Sequence, residues 1–172
     1  MNILILDFEG SLETGIREVG LIYAYGTKII SYEDKNIEDE QECTEILRNI
    51  LEKCPDCFIS HNIHIEKNLL KRYLPYSRQK KDHFKVEWGP WLDTKLIYNT
   101  LYPQLSKYDL TFLTKTFVQK KANELSKKYC NKDKSKHHFA LYDAICTFLL
   151  FERIHNKTFF DIYSLIYGIG NF

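Results

Sequence analysis

The chain opens on a near-continuous apolar run, Asn2 to Phe8, long enough for a buried central strand and too short for a helix. Two further strand-like segments, Ile16 to Ala24 and Thr27 to Tyr32, flank Tyr25-Gly26, which reads as a hairpin turn. The opening therefore predicts a three-strand antiparallel meander. Cys43, Ile46, Leu47, Ile50 and Leu51 then recur at helical spacing, which predicts an amphipathic helix over Ile37 to Lys53, stopped by Pro55. Cys57 to Ser60 predicts a short strand, and Leu69, Leu70 and Leu74 mark a helix from Ile63 to Leu74 that Pro75 ends. Tyr76 to Gly89 lacks periodicity and predicts a mobile loop. Beyond it come a short edge strand at Pro90-Trp91-Leu92 and helices at Thr94 to Leu101 and Asp109 to Phe117. A final helix spans Ala140 to His155, with Leu141, Ala144, Ile145, Phe148 and Leu149 as its buried stripe. Strands first, then helices alternating with short strands, describe an α/β domain with a mixed sheet.

Composition narrows the class. At 172 residues the expectation is one domain over 1–172, and no apolar run approaches the roughly 20 residues that cross a bilayer, so no membrane role is expected. Asp7 and Glu9 follow the first apolar run without a basic start, so the N-terminus reads as a strand and not a signal peptide. Five cysteines in a chain of this length do not make a small disulfide framework, and a reducing, cytoplasmic setting is expected. Cys54-Pro55-Asp56-Cys57 sits between a helix end and a strand start, where buried thiols fit better than a redox or zinc motif. The net charge of +1 excludes bulk attraction to nucleic acid, but charge is segregated. Glu33 to Glu45 holds seven carboxylates against one lysine, read as a solvated face at a helix start. Lys115 to Lys136 holds eight lysines against Glu124 and Asp133, read as a flexible basic segment guiding a phosphate backbone. Arg78 to Lys85 would do the same from another side. Tyr76, Phe84 and Trp88 offer stacking surfaces, while Trp91 is assigned to the core.

Carboxylates stand at three revealing places. Asp7 and Glu9 end the first strand on one face, about 6.5 to 7 Å apart along the backbone, so both can straddle one hard cation. Burying them unpaired is costly, and a cation removes the cost. In the run Ser60-His61-Asn62-Ile63-His64-Ile65-Glu66, Asn62 is a candidate N-cap and Glu66 lies one helical turn deeper on the same side. His138 and Asp143 are five apart, about 140° around a helix, so His138 belongs to the loop and Asp143 to the helix. A loop histidine beside a carboxylate is suited to accept a proton near neutral pH.

In order, Asp7-Phe8-Glu9, His61-Asn62 with Glu66, Asp93-Thr94 and His138 with Asp143 resemble the motifs of the DEDDh family of 3′-to-5′ exonucleases. That family includes the epsilon proofreading subunit of DNA polymerase III and ribonuclease T. Leu101-Tyr102-Pro103 and Tyr108-Asp109-Leu110 are similar to its connecting segment, and the likeness runs from Met1 to Arg153. The resemblance implies a ribonuclease H-like fold, a mixed five-stranded sheet flanked by helices. It also implies two divalent cations, Mg²⁺ or Mn²⁺, held by Asp7, Glu9, Asp143 and Glu66, with His138 as general base. A nucleic-acid 3′ end would meet Gly10, Ser11, Leu12, His61 and Asn62, with Leu12 as a wedge against a base. His138 is chosen over His137 because its spacing to Asp143 matches the family.

Two departures are present. Glu66 replaces the usual aspartate and Gly10-Ser11-Leu12 replaces Thr-Thr-Gly. They open the alternative of a weakened module that binds ends or scaffolds a polymerase or nucleic-acid-processing complex. A ribonuclease H-like endonuclease, which would not need His138, is a third reading.

Overall fold

The computed structural model describes residues 1–74 and 89–157. Strands β1 (Asn2–Ser11), β2 (Gly15–Tyr25) and β3 (Lys28–Asn36) form the antiparallel meander. Strands β4 (Cys57–Ser60) and β5 (Trp91–Asp93) add on the far side of β1, each parallel to its inner neighbour. The sheet order is β3-β2-β1-β4-β5. The described helices are α1 (Glu40–Glu52), α2 (Ile63–Tyr73), α3 (Thr94–Leu101), α4 (Leu110–Phe117), α5 (Gln119–Tyr129) and α6 (Ala140–Lys157), with a 3₁₀ turn at Lys132–Lys134 before α6. None of the described helices is long and apolar enough to cross a membrane.

The apolar run of β1 serves two cores. Ile3 and Ile5 point to one face, where they join Leu141, Ile145, Phe148 and Leu149 of α6. Leu4, Leu6 and Phe8 point to the other, where they join Cys43, Leu47 and Ile50 of α1 and Leu69 and Leu70 of α2. A central strand covered on both faces needs no polar alternation, which is why the run reads as continuous. Helix α6 is buried at every residue from Ala140 through Phe151, enclosed by the sheet and by α4 and α5.

The structure corrects several expectations. Strand β3 continues to Asn36 and α1 begins at Glu40, so Glu33 and Asp34 belong to an edge strand and not to a helix start. The lysine run is ordered structure: α5 and the 3₁₀ turn occupy most of it, and Lys134 is bound to acidic partners. Of the Cys54–Cys57 pair, Cys57 is buried but Cys54 is exposed, its thiol donating to the Leu51 carbonyl. Trp91 stacks on Phe58 at 5.2 Å and is half-buried against the α1–α2 core. The basic and aromatic residues from Tyr76 to Trp88, expected to form a loop, lie outside the described residues.

Candidate active site

Strand parity sets the first two carboxylates. Asp7 and Glu9 share the face of Ile3 and Ile5, so they point toward α6. In the β1–β2 register Asp7 faces Gly20, and this glycine admits the first turn of α6. A Cβ on Gly20 would stand 2.1 Å from the Ala140 carbonyl carbon and 2.3 Å from the Leu141 nitrogen. The close approach brings Asp143, one turn into α6, against the end of β1. Oxygen or nitrogen atoms of Glu9, His138 and Asp143 come within 4.8 Å of one another.

The segment leading into α6 is tied down at both ends. Lys134 Nζ donates to Glu18 Oε1 at 2.7 Å, Asn36 Oδ1 at 2.8 Å and Asp34 Oδ1 at 3.2 Å, joining it to β2 and β3. Glu18 is the register partner of Glu9, so this clamp lies beside the site. At the other end the two histidines divide the Asp143 carboxylate. His137 Nδ1 bonds Oδ1 at 2.5 Å, whereas His138 donates only its backbone N–H to Oδ2 at 3.0 Å. The His138 backbone has φ 69°, the left-handed region that non-glycine residues rarely adopt, and its side chain is exposed. The imidazole of His138 is therefore free to meet a substrate.

Glu66 arrives from α2. Asn62 does not cap this helix through its side chain; its backbone is left-handed at φ 73°. The cap comes from Asp93, whose carboxylate accepts from Asn62 N–H at 3.0 Å and Ile63 N–H at 3.2 Å. The same carboxylate accepts from Lys95 N–H and Leu96 N–H at the start of α3. One side chain thus fixes two helix starts side by side. Beside it a cleft of about 270 Å³ opens between Asn62, Lys95, Leu96, Asn99 and Tyr108. His61 departs from its expected place. Nδ1 meets Thr94 Oγ1 at 2.9 Å and Nε2 donates to the Tyr108 carbonyl at 2.9 Å, so the ring is turned inward and ties β4 to α3. Burial lowers its pKa, which keeps the ring neutral.

The carboxylates hold one another's charge in check. Burial, then the charges of Asp143, Glu66 and Glu9, raises Asp7 well above the usual aspartate range. Glu9 is raised by burial and by Asp143, with His138 pulling the other way. Burial pushes Glu66 up to about 8, and its Oε2 is enclosed with no hydrogen-bond partner among the described residues. Ser60 lies close enough to favour the ionised form, but its hydroxyl is outside bonding geometry. An orphaned buried carboxylate oxygen among mutually repelling carboxylates is a donor set that fits a hard divalent cation.

No protein-family model matches the chain, and no curated protein matches it in sequence. Its sheet order and helix placement do have a counterpart among solved structures. The chain shares its fold with a solved exonuclease. A structure described as "Exonuclease X in complex with 5′ overhanging duplex DNA" is similar over 98% of this chain and 99% of that one, with a TM-score of 0.64 and 21% identity. The exonuclease fold is ribonuclease H-like, α/β with a mixed five-stranded sheet, as the motif order implied.

Within it, Asp7, Glu9 and Asp143 come together with the His138 loop, and Glu66 is near enough to raise Asp7. Gly10 and Ser11 close β1, and the Ser11 hydroxyl bonds Thr14 across the hairpin. Leu12 stands 60% exposed at the hairpin tip. Sequence reasoning passed over Gly20, read Lys134 as one lysine of a basic run and set His137 aside for His138. A lone glycine inside a strand pattern was the readable signal for the first, because it marks a close backbone approach.

Proposed function

We propose that this chain is a divalent-metal-dependent 3′-to-5′ exonuclease that releases 5′-mononucleotides from single-stranded DNA, with RNA as the alternative substrate. The observation that carries the reading is the meeting of Glu9, His138 and Asp143 at the end of β1, with Asp7 and Glu66 electrostatically coupled to them. Shared fold with a DNA-bound exonuclease supports it.

Two Mg²⁺ or Mn²⁺ ions held by Asp7, Glu9, Asp143 and Glu66 would supply the positive charge that stabilises attacking and leaving oxygens of an in-line displacement. The chain's own groups do the rest. His138, exposed and next to Glu9, takes the proton of the attacking water on its imidazole, and the neighbouring carboxylates stabilise the resulting cation. His137 holds the Asp143 carboxylate in orientation. Leu12 wedges against the terminal base, while Gly10 and Ser11 pass their backbone along it. In the cleft beside Asp93, the amides of Asn62 and Asn99 and the apolar surface of Leu96 receive an unpaired base. A polymerase or other nucleic-acid-processing complex is a fitting further partner, and the cytoplasm a fitting place.

The test is an oligonucleotide labelled in turn at each end, incubated with Mg²⁺ or Mn²⁺. A ladder on the 5′-labelled strand, with a labelled mononucleotide from the 3′-labelled one, is expected. Internal cuts in a circular single strand, or binding of ends without cleavage in either metal, would overturn the reading.

A further inference from the structure

Helix α6 carries a second ligand cluster. Cys146 lies one helical turn after Asp143, so both project from the same side of α6. Atoms of His137, Asp143 and Cys146 able to ligate a metal all lie within 4.8 Å of one another. Nothing in the proposed hydrolysis uses the thiol. The other conspicuous thiols stand differently: Cys54 and Cys57 each donate to a backbone carbonyl, and neither joins such a group of ligands among the described residues.

We propose that His137, Asp143 and Cys146 form a binding site for a thiophilic divalent cation, Zn²⁺ or its analogue Cd²⁺, and that its occupation inhibits the enzyme. Mixed nitrogen, oxygen and sulfur donors select zinc-like ions, whereas Mg²⁺ and Mn²⁺ prefer oxygen. Bond lengths of about 2.0 to 2.3 Å place tetrahedral donors roughly 3.3 to 3.8 Å apart, so the cluster closes on an ion with shifts of about 1 Å. His137 supplies the movement, being in the loop before α6 and only partly buried. The ion enters between Nδ1 and Oδ1, replacing their direct bond, while the thiol gives its proton to water and a water molecule completes the shell.

The inhibitory consequence follows from Asp143 belonging to both clusters. Oδ1 faces His137 and Oδ2 faces the His138 side, so one carboxylate is shared between a soft donor set and the hard one. An ion held by the thiol takes up Oδ1 and the charge of Asp143, leaving less of it for a cation on the Glu9 and His138 side. Coordination itself does not depend on the nuclease reading; inhibition rests on it.

Cadmium titration of the full-length, reduced protein separates the two. One equivalent of Cd²⁺ is expected to produce an ultraviolet thiolate-to-cadmium band in the wild type and in Cys54→Ala. Cys146→Ala and Cys146→Ser, checked for folding by thermal melting, lose the band. His137→Ala weakens binding by more than the roughly tenfold that loss of an outer-shell partner costs. Zn²⁺ inhibition of Mg²⁺-dependent cleavage is expected to be relieved in Cys146→Ala. Absence of the band in the wild type, or its persistence in both Cys146 variants, overturns the site. A band without any nuclease activity upholds the site and counts against the nuclease reading alone.

Discussion

Gly20 lies against Ala140 so closely that a methyl group at Gly20 would fall 2.1 Å from the Ala140 carbonyl carbon. The obstacle is helix backbone, which cannot rotate aside as a side chain does. Gly20→Ala is therefore expected to cost about 3 kcal/mol, at the upper end of overpacking effects. It should also remove activity beyond what the lost stability explains, because α6 can relieve the clash only by withdrawing Asp143. Denaturant unfolding and nuclease assays on the soluble variant measure the two effects separately.

His138 and His137 should differ in kind. His138→Ala is expected to lower kcat by about 10²- to 10⁴-fold with little change in KM, as for loss of a general base. His137→Ala frees the Asp143 carboxylate without removing the base, so a smaller fall in kcat and a weaker Mg²⁺ dependence are expected. Steady-state kinetics over a Mg²⁺ series decides between these outcomes; equal losses from the two variants would mean that both act only by orienting Asp143.

The metal-free protein should lose stability as pH rises. Glu66 titrates near 4.5 in the unfolded chain and is pushed up to about 8 by burial, so between those values the folded state binds more protons than the unfolded one. The slope is at most about 1.4 kcal/mol per pH unit for one such group. Asp7, also raised, adds to it in the same direction. Melting temperature is expected to fall from pH 5 to 8 in chelator, and Glu66→Gln should flatten the curve. Mg²⁺ should stabilise more at pH 8 than at pH 5, since it competes with protons for the same oxygens.

Lys134→Met removes three bonds at once and leaves Glu18 and Asp34, diagonal neighbours on adjoining strands, without the cation between them. The lysine is partly exposed, so the expected loss is about 1 to 3 kcal/mol, the range of hydrogen bonds to charged groups. Lys134→Arg should recover part of it. Urea unfolding at two salt concentrations tests the electrostatic share, which should shrink only modestly with salt.

Asp93→Ala withdraws the cap from α2 and α3 together, four backbone N–H groups in all. A single cap is worth about 1 kcal/mol, so a loss near 2 kcal/mol is expected. Hydrogen exchange should quicken at Ile63 and Leu96 before it does elsewhere in those helices.

The parts of this molecule legible in its sequence are those governed by short-range rules. Strand β1, the turn at Gly26 and the start of α6 after His138 followed from apolar runs, a glycine and a five-residue spacing. The pairing of Asp7 with Glu9 followed from strand parity alone. What escaped depended on contacts distant in the chain. Lys134 reads as one more lysine of a basic run until Glu18 and Asp34, 116 and 100 residues away, are brought beside it. Asn62 has the composition of an N-cap, but Asp93 from a neighbouring strand supplies the bond and leaves the asparagine left-handed. His61 likewise looks like a surface ligand until Thr94 and Tyr108 close around it.

Helix α6 is buried without interruption from Ala140 to Phe151. Amides so enclosed exchange with solvent only when the whole domain opens. Asp143 is therefore carried by the slowest-opening part of the chain, whereas His138 stands just outside it in a loop. The fixed charge of the site and its proton acceptor are separated by a single helix boundary, so the exposed imidazole can turn about its own side-chain bonds toward a substrate while the backbone that carries it stays bonded to the carboxylate.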